Sequence, residues 1–126
     1  MAPASGNTMK TLYHITSITL MHKAELSGEY TPSEYAREGF IHCSYLAQVV
    51  PVGNRRYRGH SDLVLLEIDP NLVDCDVIDE NLEGGEELFP HIYGRLAWCA
   101  VTAVHEIPRD AQGGFSLPPT ICDAID

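Results

Sequence analysis

The run Leu63–Ile68 constrains the fold more than any other feature of the sequence, because it is apolar at every position except Glu67. A strand with apolar side chains on both faces must be covered on both faces. The run therefore predicts a strand at the centre of a sheet. The polar tripeptide Asp69-Pro70-Asn71 follows directly and is expected to end the strand. The remaining elements are expected to pack around it.

Local signals predict a strand and a helix near the start of the chain. Residues 11–16 are rich in β-branched and aromatic side chains, which favours a first strand. A helix is predicted over residues 17–27, because apolar residues recur there at helical spacing. Ser17 is the expected N-cap of this helix, and Gly28 is its expected end.

The segment between this helix and the central strand predicts two more short helices, separated by a brief strand. Ser33 is expected to cap a single helical turn, and residues 40–43 predict the strand. Ser44 is then expected to cap the next helix. Pro51 and Gly53 are expected to bend or end that helix.

After the central strand the pattern is mostly extended. Residues 75–79 predict a short strand, and the acidic stretch 79–87 predicts an exposed loop. Residues 97–107 alternate between two faces, which predicts one long strand that ends at Pro108.

These elements predict an α+β fold with two or three short helices and a mostly antiparallel sheet, either continuous or split in two. A chain of 126 residues is long enough for one core. A single domain is expected over residues 10–110, with a flexible leader over 1–9 and an irregular tail over 111–126. Met9 is an alternative start for the native chain.

The net charge of the chain limits which partners it is expected to bind. Eight Lys and Arg against eighteen Asp and Glu give a net charge of −10, which repels nucleic-acid phosphates over most of the surface. No nucleic-acid partner is therefore expected. The first residues resemble no secretion signal, and no stretch reaches the roughly 20 apolar residues of a membrane span. A soluble, cytoplasmic protein without a membrane partner is expected.

Three short motifs each place a histidine near the end of a segment predicted to be extended. They are Leu-Tyr-His-Ile-Thr at 12–16, Gly-Phe-Ile-His-Cys-Ser at 39–44 and Pro-His-Ile-Tyr-Gly at 90–94. Because side chains at strand ends are held rigidly and can face a cleft, we predict His14, His42 and His91 as catalytic residues. The alternative is that each is a structural histidine with partners inside the core.

Neighbouring residues in these motifs are the predicted ligand contacts. Thr16 lies on the same strand face as His14, so both can hydrogen-bond a polar ligand. Ser44 lies at an expected helix start, where a cap is as good an explanation as a ligand contact. His91 and Tyr93 share one face of an extended segment, and a structural turn is the alternative.

A metal site is a weaker alternative. Imidazole suits zinc, iron or copper, but no two of His14, His42 and His91 have the spacing of a local metal clamp. No metal is therefore predicted. The four cysteines form no Cys-x-x-Cys pair and are interpreted as free thiols. Cys43 is not interpreted as a nucleophile, because its neighbour His42 points to the opposite face of a strand.

One basic cluster interrupts the acidic chain. Arg55, Arg56 and Arg58 fall within residues 54–60, together with His60. A guanidinium group matches the oxygens of a phosphate in a bidentate fashion, so a small anionic ligand is a candidate for this cluster. The alternative is a solvated helix end.

Taken together, the three motifs and the segment Asp62–Asp69 resemble the uncharacterised domain-of-unknown-function family 952, over about residues 10–107. That family is similar in fold to the ADP-ribosyltransferases, whose ligand is NAD. The resemblance implies an ADP-ribosyltransferase-like fold in which His14 contacts a ribose. It also implies that Tyr13 or Tyr93 stacks on a ring of the ligand.

In the same pattern His42 and Ser44 occupy the second motif, and we add Arg55 and Arg56 as candidates for the pyrophosphate. The chain departs from the transferases in two ways: Ile15 replaces the usual glycine, and no acidic residue is assigned as the catalytic glutamate. A placed carboxylate stabilises the charge that develops on the ribose as nicotinamide leaves.

The expected function is therefore binding of NAD or a related nucleotide, with transfer or hydrolysis of its ADP-ribose part as the reaction. The alternatives are a non-catalytic binding or sensor module and a metal-dependent enzyme.

Overall fold

The strand Leu63–Ile68 lies at the centre of a three-stranded antiparallel sheet in the computed structural model, which describes residues 10–82, 85–108 and 114–121. The three helices are α1 (Ile18–Ser27), α2 (Ser33–Glu38) and α3 (Leu46–Arg56). The strands are β1 (Leu12–Ser17), β2 (Glu29–Tyr30), β3 (Ile41–His42), β4 (Leu63–Ile68), β5 (Val77–Glu80), β6 (Phe89–Ile92), β7 (Leu96–Ala97) and β8 (Val101–Glu106). Two single-turn 3₁₀ helices cover Pro70–Leu72 and Trp98–Ala100.

The prediction that β4 is central and covered on both faces is confirmed. The strand order in its sheet is β1-β4-β8. Val64 and Leu66 face a core cluster that includes residues of α1, whereas Leu65 faces a second cluster with Val49 of α3 and Phe115. Each face of the strand thus buries its side chains against a different layer.

The rest of the sheet structure is split, as the sequence allowed. A second three-stranded antiparallel sheet has the order β3-β6-β5, and β2 pairs with β7 in a two-stranded sheet. An isolated bridge joins the first two sheets: the N–H groups of Tyr13 and Ser44 each donate to the other residue's carbonyl at 2.8 Å. β1 therefore lies directly beside β3, and the predicted α+β class is confirmed.

The helix α1 begins and ends where the sequence predicts. The Ser17 hydroxyl accepts a hydrogen bond from the N–H of Leu20 at 3.1 Å, and Gly28 ends the helix with φ of 88°. This left-handed conformation favours glycine, because a side chain is strained there.

The predicted caps of the other two helices are wrong. Pro32 is the N-cap of α2, and Ser33 is already its first helical residue. Tyr45 is the N-cap of α3, and its N–H donates to the Gln48 side chain at 3.0 Å. Ser44 lies one residue before this cap, and its backbone N–H and carbonyl both bond to Tyr13.

The predicted end of α3 at Pro51 and Gly53 is also wrong, because the helix continues to Arg56. Tertiary packing accounts for this. Gly53 lies against the ring of Phe115, so closely that a Cβ added to Gly53 would lie 2.4 Å from ring atoms. A helix held by such contacts tolerates the hydrogen bond lost at an interior proline.

The single long strand predicted over residues 97–107 is wrong as well. The 3₁₀ turn Trp98–Ala100 divides it into β7 and β8, which belong to different sheets. At the break the N–H of Trp98 donates to Gly28 at 2.9 Å, and the Ala100 carbonyl accepts from Asp69 at 3.0 Å. The first bond extends the pairing of β2 with β7 by one residue, and the second extends the pairing of β4 with β8, so the chain passes from one sheet to the other within the turn.

The predicted leader over 1–9, with Met9, lies outside the described residues, as do 111–113 and 122–126 of the predicted tail. Within the described part of the tail, Phe115 and Ile121 are buried against the second core cluster. In the part of the chain that the structure describes, even the longest helix, α3, has 11 residues and is too short to cross a bilayer.

Candidate functional site

A cleft of about 160 Å³ lies where β1, β3 and β6 meet the helices α2 and α3. Most of the residues that the sequence singles out line this cleft, namely Tyr13, His14, His42, Ser44, Arg55, Arg56 and His91. Thr16 and Tyr93 do not line it. Thr16 contacts the Tyr30 hydroxyl, which in turn contacts His14, and the Tyr93 hydroxyl bonds to Glu80. The three histidine motifs therefore converge in space, although 77 positions separate the first histidine from the last.

His14 is buried, and both of its ring nitrogens are engaged within the protein. Nδ1 lies 2.5 Å from the carbonyl oxygen of His42, and Nε2 lies 2.6 Å from the Tyr30 hydroxyl. Thr16 Oγ1 lies 2.7 Å from the same hydroxyl oxygen and completes a buried chain of polar groups. His14 thus joins β1 to β3.

The protonation of this chain follows from its partners. Burial lowers the pKa of His14, so the ring is neutral and carries one hydrogen. A carbonyl only accepts, so Nδ1 carries that hydrogen and Nε2 accepts from Tyr30. Burial likewise raises the pKa of Tyr30 and keeps its hydroxyl protonated. His14 therefore has the geometry of a structural histidine, the alternative that the sequence left open.

His42 and His91 lie opposite each other on the paired strands β3 and β6. Their ring centroids are 5.0 Å apart, and the rings meet edge to face. Each histidine binds a carboxylate through one nitrogen: His42 Nε2 donates to Glu38 at 2.7 Å, and His91 Nδ1 donates to Glu80 at 2.8 Å. The cleft thus contains two imidazole–carboxylate pairs side by side.

The pair of His91 and Glu80 is supported from two sides. The Tyr93 hydroxyl donates to the same oxygen of Glu80, and Phe40 stacks on the His91 ring at a centroid distance of 4.3 Å. Hydrogen bonds from Tyr93 and from His91 lower the pKa of the Glu80 carboxyl. Glu80 therefore stays ionised and fixes one tautomer of the ring.

The pair of His42 and Glu38 is more open to solvent. The side chains of both residues are about one third exposed, at 30% and 34%, whereas the His91 side chain is 4% exposed. The bond spans four residues, from the end of α2 to β3. His42 is therefore the more accessible of the two imidazoles.

The charges of the cleft differ from those of the protein as a whole. Three arginines line it, at positions 37, 55 and 56, and so do three glutamates, at positions 34, 38 and 80. Their formal charges cancel, on a chain with a net charge of −10. Among the described residues, Glu34, Arg37 and Arg55 have no hydrogen-bond or ion-pair partner. The cleft therefore offers unpaired charges of both signs.

Two other chemistries fit the geometry poorly. Burial raises the pKa of the Cys43 thiol, which keeps it in the unreactive protonated form. No group of three or more histidine, cysteine, aspartate or glutamate residues in the described ranges is arranged to hold a metal ion. Both nitrogens of His14 are also occupied, so the three histidines do not form a ligand set.

Sequence reasoning missed four charged residues of the cleft, namely Glu34, Arg37, Glu38 and Glu80. Two signals for them were present. Glu38 lies directly before the second histidine motif and four residues before its histidine, and Glu34 and Arg37 lie on the same short helix. Nothing in the sequence indicated Glu80, because it belongs to an acidic stretch whose pattern predicts an exposed loop.

The fold and the cleft define an α+β protein with two carboxylate-bound histidines and an arginine-lined mouth. A family model described as "Protein of unknown function (DUF952)" matches residues 15–104. The chain belongs to this family, and the predicted membership is confirmed. The implied relation to the ADP-ribosyltransferases stays a prediction.

Two solved structures are similar to the chain over most of its length. The crystal structure of protein CC0527 from Caulobacter crescentus is 29% identical, with a TM-score of 0.78, and the match covers 86% of this chain and 95% of that one. The solution NMR structure of CC0527 is 30% identical, with a TM-score of 0.74, and the match covers 84% and 91%. No curated protein matches the chain.

Proposed function

We propose that the cleft binds NAD or a related nucleotide, and that the protein transfers or hydrolyses the ADP-ribose part of this ligand. The observation that carries the proposal is the presence of unpaired charges of both signs in one cleft, which Glu34, Arg37 and Arg55 all line. NAD in its oxidised form has the matching dipolar character, because its pyrophosphate is anionic and its nicotinamide ring is cationic.

The arginines suit the anionic part of such a ligand. Arg55 and Arg56 lie at the C-terminal end of α3 and are exposed, so their guanidinium groups can reach a pyrophosphate at the mouth of the cleft. The cavity volume of about 160 Å³ is smaller than that of typical ligand pockets, which are roughly 300–1,000 Å³. One ring of a dinucleotide would enter the cleft, and the remainder would lie over the arginines.

The glutamates of the cleft are candidates for the catalytic carboxylate, which could not be assigned to a residue from the sequence. A carboxylate near the reacting ribose stabilises the positive charge that develops as nicotinamide departs. Glu34, Glu38 and Glu80 all line the cleft, so a carboxylate is close to any ligand bound there. The resemblance of the histidine motifs to the ADP-ribosyltransferase pattern supports the same ligand by analogy.

Isothermal titration calorimetry with oxidised NAD, reduced NADH and ADP-ribose tests the proposal. All three carry the pyrophosphate, but only oxidised NAD has a cationic ring, so we expect it to bind most tightly. Arg55→Ala is expected to weaken the binding of all three ligands by about tenfold, or about 1.4 kcal/mol. Glu34→Gln is expected to remove the preference for oxidised NAD over NADH.

Arg95→Ala is the matched control, because Arg95 is exposed, lies outside the cleft and contacts Glu29 at 3.7 Å. It is expected to bind all three ligands like the wild type. The absence of heat with all three ligands up to millimolar concentration would refute the proposal. Saturable binding without release of nicotinamide on prolonged incubation would identify a binding or sensor module instead.

A further inference from the structure

The surroundings of His91 determine which of its ring nitrogens carries the hydrogen. Nδ1 lies 2.8 Å from Glu80 Oε2, and a carboxylate only accepts hydrogen bonds. Nδ1 therefore carries the hydrogen in the neutral ring, and Nε2 has a free lone pair. The ring lines the cleft, and no described residue bonds to Nε2.

This arrangement is more rigid than that of the neighbouring His42. Phe40 stacks on His91 with an interplanar angle of 17°, and Tyr93 fixes the carboxylate that holds Nδ1. A base that is already oriented does not lose conformational freedom when the substrate arrives. The difference in exposure between the two imidazoles also favours His91 as the better-ordered one.

We propose that His91 is the general base of the reaction and that Glu80 and Tyr93 are its positioning residues, a role that rests on the proposed function. In hydrolysis of NAD, Nε2 of His91 takes a proton from a water molecule. The water oxygen forms a bond to the anomeric carbon of the ribose. The bond from that carbon to the nicotinamide nitrogen breaks, and its electron pair neutralises the ring. The imidazolium then returns its proton to solvent.

The same assignment holds when a hydroxyl group of another molecule replaces water, since the hydroxyl then loses its proton to Nε2. Glu80 stabilises the imidazolium that forms in either case, because its negative charge faces the protonated ring. Tyr93 acts one step further away, through its hydrogen bond to Glu80.

The first test measures the tautomer of His91 by ¹⁵N NMR of the imidazole rings in the ligand-free protein. The expected result is that the neutral form of the ring carries its hydrogen on Nδ1 in the wild type and is a mixture of tautomers in Glu80→Gln. A wild-type ring with its hydrogen on Nε2 would overturn the proposal whether or not NAD binds.

The second test follows nicotinamide release from NAD. His91→Gln is expected to lower kcat by about 100-fold or more, the usual contribution of a general base, with KM within about twofold of wild type. Glu80→Gln is expected to lower kcat less than His91→Gln does, and Tyr93→Phe less again. The positioning variants are also expected to shift the acid limb of the pH profile of kcat, which a merely structural loss would not do.

Glu25→Gln is the matched control, because Glu25 bonds His22 at 3.0 Å on the surface of α1, away from the cleft. Circular dichroism confirms that each variant folds. If NAD binds and nicotinamide is released but His91→Gln keeps its rate, the assignment of His91 is wrong while the proposed function stands. If NAD does not bind, or binds without release of nicotinamide, the proposed function fails and the role of His91 as base fails with it.

Discussion

Removing one hydroxyl group, that of Tyr30, is expected to destabilise the buried contact between β1 and β2. In Tyr30→Phe the phenol oxygen that lies 2.6 Å from His14 Nε2 and 2.7 Å from Thr16 Oγ1 is absent. Both partners are buried, at 4% and 5% exposed, so no water replaces the lost group. A buried polar group left without a partner costs about 1–3 kcal/mol. Two such groups give an expected loss of about 2–6 kcal/mol.

Thr16→Val is the matched comparison, because it breaks the same chain at its end and leaves the bond from Tyr30 to His14 in place. Its expected loss is about 1 kcal/mol. Urea unfolding followed by circular dichroism measures both variants. A Tyr30→Phe variant within about 0.5 kcal/mol of wild type would refute the reasoning that His14 is held by a buried chain of hydrogen bonds.

Three further predictions follow from packing and protonation. Because the pKa of His14 is lower in the folded than in the unfolded protein, the unfolded chain binds a proton first, and the free energy of unfolding is expected to fall as the pH drops below about 6.5. His14→Gln is expected to lack this part of the decline, and the same pH slope in the variant and the wild type would contradict the prediction. Gly53→Ala is expected to lose about 1–3 kcal/mol in thermal unfolding, because the new Cβ meets the ring of Phe115; unchanged stability would show that the ring moves aside freely. In the native protein iodoacetamide is expected to modify exposed Cys99 well before buried Cys43, measured by mass spectrometry; equal rates would mean that Cys43 is accessible.

The parts of the fold that were predicted correctly depend on local signals. The continuous apolar run of β4 required cover on both faces wherever its neighbours lay. Ser17 and Gly28 mark the ends of α1 through hydrogen bonds and a left-handed turn that involve only nearby residues. Such features depend on a few adjacent positions, so the sequence alone determines them.

The parts that were predicted wrongly depend on distant contacts. The alternation over residues 97–107 is real, but β7 pairs with β2 whereas β8 pairs with β4, and no local pattern indicates the turn between them. The continuation of α3 past Pro51 depends on packing against Phe115. Tertiary contacts of this kind override propensity and pattern.

The same distinction applies to the site. The histidine motifs were visible because each combines several residue types within five or six positions. Their convergence depends on the register that sets His42 opposite His91, which the sequence does not reveal. Glu80 reaches His91 only because β5 pairs with β6, and so the carboxylate that orients this ring could not be found from the motif alone.

The central claim, that a nucleotide binds between the carboxylate-bound histidines and the arginines, is tested most directly by amide NMR during a titration with oxidised NAD. The account predicts saturable shifts that centre on His42, His91 and Arg55, with little change at Arg95 outside the cleft. The absence of any response at His42, His91 and Arg55 up to millimolar NAD would contradict it.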